Sequence, residues 1–251
     1  MELQDKLSYF DQNDIHPYAI SYDSVETLTV FAEKHNITYP ILSDVNSEVI
    51  RAFDIFNHLV PKDHRWYGVP FPGTYMVDAK GIVIDKSFYA DYGVRDSVAR
   101  MLQKTFQIDS RGLPVQTIEN DDLKARAYLS SGTMRRGQVQ TFTLDIALKN
   151  NRHIYAPQVT GGYIPTSLTF DPIKEVRINT VTYPNAIHKK MLGENVAVYE
   201  KHIRLTTTVL NRKRENFTLS AQLDYQACDD NECYMPQKLT FELPITYLEN
   251  V

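Results

Sequence analysis

The chain has 251 residues, 43% of them hydrophobic, enough to fill the cores of one large or two ordinary domains and to exclude global disorder. Its formal charge of -4 and its pI near 6.0 lack the basic stripe that a nucleic-acid binder needs. No stretch approaches the roughly 18 apolar residues of a membrane helix, and the charged N-terminus has no apolar core of a signal peptide.

Along the first hundred residues, helix and strand patterns alternate. Leu3 to Phe10 has apolar residues at helical spacing and starts without a cap. Tyr18 to Tyr22 reads as a buried strand. Asp23-Ser24 caps a helix running to about His35, with Val25, Leu28 and Phe31 on its apolar face. Tyr39 to Leu42 is extended, and Asn46 to Phe53 a short helix. Thr74 to Asp78 and Ile82 to Ile84 make a hairpin through Ala79-Lys80-Gly81, and Arg95 to Phe106 is a last helix. Such alternation indicates an α/β fold.

Residues 108–120 contain Gly112 and Pro114 and show no period, so they read as a linker. Beyond it strand patterns dominate: Leu123 to Leu129, Val139 to Leu148, Val176 to Val181, Ile203 to Leu210, Phe217 to Tyr225 and Leu239 to Ile245. Turn residues separate these strands, and together they predict an antiparallel β-sandwich. The expected organisation is therefore an α/β domain over 1–107, a linker over 108–120 and an all-β domain over 121–251.

Chemistry-bearing residues are sparse. The only two cysteines, Cys228 and Cys233, share one polar loop with four residues between them. By themselves they could form a structural staple, a redox pair or half a metal site. Zinc fits poorly, because it needs two further ligands and no histidine lies near in sequence. His58, Asp63 and His64 beside Trp66 read as solvated loop residues rather than metal ligands. No phosphate-binding Gly-rich loop and no Gly-x-Ser-x-Gly elbow occurs. No cofactor is expected.

Two family resemblances sharpen this picture. The run Phe71-Pro72-Gly73-Thr74-Tyr75-Met76-Val77-Asp78-Ala79-Lys80-Gly81, with the strand–helix–strand pattern from Tyr18 to Asp44, resembles the peroxiredoxin-like AhpC/TSA redoxins. The resemblance covers about residues 1–106 and implies an incomplete thioredoxin-like domain. It also implies a cis bond at Pro72 beside the reactive thiol. That family carries its reactive cysteine at the start of the first long helix. Here no cysteine occurs in residues 1–227, so this half has no thiolate of its own, and the expectation is an N-terminally truncated redoxin whose intact parent acts on a peroxide or a disulfide.

The run Tyr225-Gln226-Ala227-Cys228-Asp229-Asp230-Asn231-Glu232-Cys233-Tyr234-Met235-Pro236 resembles the N-terminal periplasmic domain of the thiol:disulfide interchange protein DsbD, an immunoglobulin-like sandwich. Arg136-Gly137-Gln138, His153-Ile154-Tyr155 with Pro157, Tyr183-Pro184 and Val198-Tyr199 support it, over about residues 121–249. The resemblance implies that Cys228 and Cys233 are a redox pair exchanging two electrons with a thiol or disulfide partner protein. It implies His153, Tyr155 and Tyr225 as neighbours of the pair, and Met191 or Leu192, in a loop from Ile187 to Gly193, as its cover. Asp229, Asp230 and Glu232 would raise the thiol pKa values and blunt their nucleophilicity. A staple across so short a loop stabilises little, which also favours redox use. Tethering would raise the effective concentration of one redox centre near another. The implied setting is periplasmic or exported, the alternative cytoplasmic. The alternative function is a non-catalytic interaction protein with a structural disulfide.

Overall fold

The structure is a computed structural model that describes residues 2–108, 113–149, 151–191 and 194–249. The chain is mostly β with few helices and divides into two compact units, Met1–Val98 and Ala99–Asn250.

In the first unit the opening helix is broken in two, Glu2–Asp5 and Leu7–Asp11, because Lys6 leaves helical geometry (φ -109°, ψ 6°). The helix Val25–Lys34 begins as its cap residue dictates. Ser24 is extended, and its hydroxyl accepts a hydrogen bond from the Thr27 amide at 3.3 Å. The helix Glu48–Ala52 is shorter than predicted. Ser47 before it is left-handed (φ 55°), and the Asp44 carboxylate instead accepts from the amides of Glu48, Val49 and Ile50. Strands Ala19–Ser21 and Ile41–Ser43 pair in parallel; Gly73–Val77 and Val83–Phe88 form the predicted antiparallel hairpin. These are two separate two-stranded sheets rather than one continuous layer. Gly73 is a necessity of packing: it faces Phe88 across the hairpin, and a Cβ there would lie 2.1 Å from the Phe88 ring.

The expected cis bond at Pro72 is not found, since no described peptide bond is cis. Trans is favoured by about 0.5–1 kcal/mol unless the surroundings demand otherwise. Here the Phe71 amide donates to the Ile55 carbonyl at 2.7 Å and the chain runs straight on into the hairpin.

The helix Val98–Phe106 leads into the second unit. One sheet of that unit runs in the order Val176–Ile178, His202–Asn211, Gln138–Leu148, Leu123–Leu129, Val115–Glu119. The last of these falls in the expected linker. Its inward positions are Gln116 and Ile118, and one polar residue of the two hides the alternation. Residues 109–112 of that linker lie outside the described residues. The strand begun at Val176 ends at Ile178, short of the predicted Val181. A second sheet runs Ser167–Phe170, Phe217–Tyr225, Gln237–Leu248, Thr133–Arg135, with the last pair parallel within an otherwise antiparallel set.

Strand alternation builds the core between these sheets. Ala125, Ala127, Phe142, Leu144, Ile146, Leu205 and Val209 come from the first sheet; Leu219, Ala221, Leu223, Phe241, Leu243 and Ile245 come from the second. All are buried, and Phe142 meets Phe170 edge-on at 5.0 Å. Leucines and β-branched residues dominate, each contributing roughly 1.5–3 kcal/mol of burial. A third, smaller sheet, Ile187–Met191, Glu194–Glu200, His153–Tyr155, Ala227–Cys228, stands on this framework and carries the cysteines.

Candidate functional site: a disulfide under a tyrosine

The strand Phe217–Tyr225 belongs to the sandwich and Ala227–Cys228 to the small sheet, so the chain changes sheets at Gln226. The Gln226 side chain holds this step by donating to the Tyr234 carbonyl at 3.0 Å. Cys228 and Cys233 then face each other as an antiparallel bridge. The bridge is flanked by backbone bonds from Tyr234 to Ala227 (2.8 Å) and from Asp229 to Glu232 (2.9 Å). That makes the cysteines a non-hydrogen-bonded cross-strand pair, the closer of the two antiparallel types. Their Cα atoms are 4.0 Å apart, and the sulfurs are joined at 2.07 Å.

The two cysteines differ in exposure. Cys228 is fully buried, whereas Cys233 is exposed. Tyr155 spans both: its hydroxyl lies 3.1 Å from Cys228 Sγ and 3.3 Å from Cys233 Sγ. A disulfide has no proton to give, so Tyr155 is the donor. Burial pushes the Tyr155 pKa up, which keeps that donor protonated. Around this contact pack Val196, Val198, Val159, Tyr163 and Met191. The Tyr163 ring lies 4.6 Å from the Tyr155 ring.

His153 lies directly across the ladder from Cys228. Its ring meets Tyr155 edge-on at 5.7 Å, and only 2% of the residue is exposed. Its pKa is lowered, first by burial and then by the Lys189 charge, against weaker upward pulls from Glu200, Asp230 and Asp229. The imidazole is therefore neutral at neutral pH.

The acidic residues of the loop are not equivalent. Asp229 Oδ1 accepts from the Asn231 and Glu232 amides at 2.8 and 3.0 Å. Its Oδ2 accepts from the Tyr234 hydroxyl at 2.5 Å and from Arg152 Nη1 at 3.0 Å. Those four donors hold its carboxyl well below the usual range, the Tyr234 hydroxyl contributing most. Arg152 also pairs with Asp122 (3.4 Å) and lies over the Tyr234 ring, 4.0 Å from its centroid. Asp229 is thus the anchor of the turn, while Asp230 and Glu232 remain exposed beside Cys233.

The structure brings together Cys228, Cys233, His153, Tyr155 and Met191 among the residues picked from sequence. Leu192 lies outside the described residues. Tyr225 is placed elsewhere: it is fully buried in the sandwich core, where its hydroxyl accepts from Asn120 at 2.7 Å and donates to Asp122 at 3.4 Å. Burial raises its pKa to about 12. Its position in strand Phe217–Tyr225 turns it onto the Leu219–Ala221–Leu223 face, and the sheet change at Gln226 separates it from the cysteines. Pro72 lies in the first unit. Sequence reading missed Tyr163, Val159, Val196 and the Arg152–Asp229 anchor. The alternation Val196-Ala197-Val198 was the one available sign. Among the described residues no cluster of three or more His, Cys, Asp or Glu is placed to hold a metal ion, and no helix is long and apolar enough to cross a membrane.

A disulfide that joins an exposed cysteine to a buried one, with a hydroxyl aimed at both sulfurs, can take part in thiol–disulfide exchange, and comparison with known proteins points the same way. Residues 1–86 match the AhpC/TSA family, and residues 123–245 match the family "Thiol:disulfide interchange protein DsbD, N-terminal". Both resemblances read from the sequence are thereby shown, and the two segments support a thiol–disulfide redox role. Alkyl hydroperoxide reductase E of Mycobacterium tuberculosis (strain ATCC 25618 / H37Rv) and that of Mycobacterium bovis are each 31% identical over 84 residues, 33% of this chain. The chain spans about half (50%) of the length of these curated relatives. Among solved structures, the N-terminal periplasmic domain of ScsB from Proteus mirabilis aligns at 15% identity and TM-score 0.38, over 54% of this chain and 50% of that one. The reduced DsbD N-terminal domain of Neisseria meningitidis aligns at 12% identity and TM-score 0.33, over 54% and 87%. The GAE domain of GGA2p from Saccharomyces cerevisiae aligns at 11% identity and TM-score 0.34, over 52% and 98%.

Proposed function

We propose that this protein exchanges two electrons with a thiol or disulfide partner protein through Cys228 and Cys233. The observation that carries the reading is the asymmetry of the pair: an exposed Cys233 joined to a buried Cys228 under the Tyr155 hydroxyl. Cys228 is closed to a partner thiolate by its burial, which leaves Cys233 as the point of attack. Attack there leaves the electron pair on Cys228, where Tyr155 already offers a hydrogen bond to the leaving thiolate. The redoxin-like part, proposed as residues 1–107, holds no cysteine, and both cysteines lie in the sandwich whose first strand is Val115–Glu119. The exchange chemistry of this chain therefore falls on the second part. The proposed setting is periplasmic or exported, where a disulfide persists. Asp230 and Glu232 beside Cys233 favour a partner with a basic rim.

Trapping of mixed disulfides tests this. With Cys228→Ala, Cys233 should form a mixed disulfide with glutathione disulfide readily. With Cys233→Ala, the buried Cys228 should react at least about tenfold more slowly, a difference of about 1.4 kcal/mol in barrier. Equal rates for the two variants would contradict the assignment of Cys233 as the attacked sulfur.

A further inference from the structure

Residues directly opposite each other on neighbouring antiparallel strands project from the same face, with Cβ atoms about 4.5–5.5 Å apart. In the small sheet His153 pairs with Cys228 on one side and with Glu200 on the other. Thiol, imidazole and carboxylate therefore form one row across three strands, the order in which a proton could pass between a buried sulfur and the surface. The two ends differ as such a row requires. Cys228 is fully buried, whereas the Glu200 side chain keeps 27% of its surface exposed and pairs with Lys189.

His153 carries a second sign. Its Nε2 is buried and has no hydrogen-bond partner among the described residues. A buried polar atom left without a partner destabilises the state that leaves it so. In the oxidised state Cys228 can offer neither a proton nor a negative charge. Reduction creates both possibilities: a thiol supplies a donor and a thiolate an acceptor, so either tautomer of the imidazole gains a partner.

We propose that His153 is the hydrogen-bonding and proton-transfer partner that Cys228 acquires on reduction, linked to solvent through Glu200. The proposal rests on the exchange role of the disulfide. The reductant is a dithiol. One of its thiols ionises to water, and the thiolate attacks Cys233 Sγ. A bond forms between partner and Cys233, the Cys228–Cys233 bond breaks, and its electron pair stays on Cys228. His153 delivers a proton to that sulfur and recovers one from solvent on the Glu200 side. The partner's second thiol then loses its proton to water and displaces Cys233, which takes a proton from solvent. The partner ends as a disulfide, both cysteines end as thiols, and the two protons released equal the two taken up. Tyr155 serves as a fixed donor rather than a carrier. The charged and titratable groups facing His153 are Glu200 from the neighbouring strand, Lys189 from the edge strand beyond it, Asp229 and Asp230 from the cysteine loop, and Tyr155 from its own strand.

Three measurements on the full chain test the proposal. First, histidine NMR resonances are followed from pH 4.5 to 9 in the oxidised chain and after reduction by a phosphine, with His153→Gln identifying the signal. The His153 signal and its titration should change on reduction; identical curves in both states would overturn the proposal. Second, the equilibrium with glutathione is compared for wild type, His153→Phe and His153→Gln. His153→Phe should disfavour the reduced form about tenfold, equivalent to about 30 mV for two electrons. His153→Gln, which still hydrogen-bonds, should recover most of that loss. Third, the rate of reduction by dithiothreitol should show a pH-dependent limb that both variants lose. His153→Phe with wild-type equilibrium and pH profile would reduce His153 to a packing residue. If that variant does not fold, the wild-type NMR comparison decides alone. A wild-type disulfide that no dithiol reduces would defeat the exchange role itself, and the phosphine-reduced chain would still report on His153.

Discussion

Asp229 and Tyr155 show how single side chains set the character of the cysteine loop. Asp229 is bound by four donors, so its folded pKa is depressed and it stabilises the fold above its ordinary pKa of 3.8. That contribution is complete near neutral pH and is lost as pH falls below about 4 toward the folded value. Asp229→Asn should therefore lower the urea midpoint at pH 7, and the gap to wild type should narrow steadily as pH falls below about 4. A gap that stays constant with pH would contradict the ionised anchor. Tyr155 acts on the chemistry instead. Removing its hydroxyl with Tyr155→Phe leaves the ring packing on Tyr163 but takes the donor from the leaving sulfur. Reduction by dithiothreitol should slow about tenfold, one hydrogen bond's worth of about 1.4 kcal/mol. An unchanged rate would mean that the hydroxyl only fills space.

At the scale of elements, His153–Tyr155 is the strand on which the site depends, because it joins the cysteine strand to Glu194–Glu200. Its role was legible only as two residues on one face; its partners on both sides were not, since register between distant strands leaves no local trace in sequence. The long strands were plain where inward positions are uniformly apolar, as in Leu239, Phe241, Leu243 and Ile245. They were hidden where an inward position is polar, as with Gln116 in Val115–Glu119. Tyr225 marks the failure of reading by proximity along the chain. It lies three residues before Cys228, yet the sheet change at Gln226 sends it into the core. Tyr225→Phe should consequently cost about 1–2 kcal/mol of stability through its lost bonds to Asn120 and Asp122. It should leave the glutathione equilibrium of the cysteines unchanged. Urea unfolding and thiol tagging on the same variant check both halves of that statement, and a tenfold change in the equilibrium would return Tyr225 to the site.

For the whole molecule, the location of both cysteines in the second unit was visible in the sequence, whereas the division falls after Val98 and not at the change of pattern after residue 107. The cis bond that the family resemblance implied at Pro72 is not found. The disulfide and its Tyr155 contact were anticipated from a motif; the unequal exposure of the two cysteines was not, since burial depends on the small sheet and on Val196, Val198 and Met191 packing around Cys228. What distinguishes a shuttle from a staple is the free energy of that bond. The reduction potential of Cys228–Cys233, obtained by mass-tagging free thiols across a graded glutathione buffer, measures it directly. A value within the exchange-protein range of about -120 to -270 mV is predicted; a value below about -300 mV would make the disulfide structural and contradict the proposed exchange.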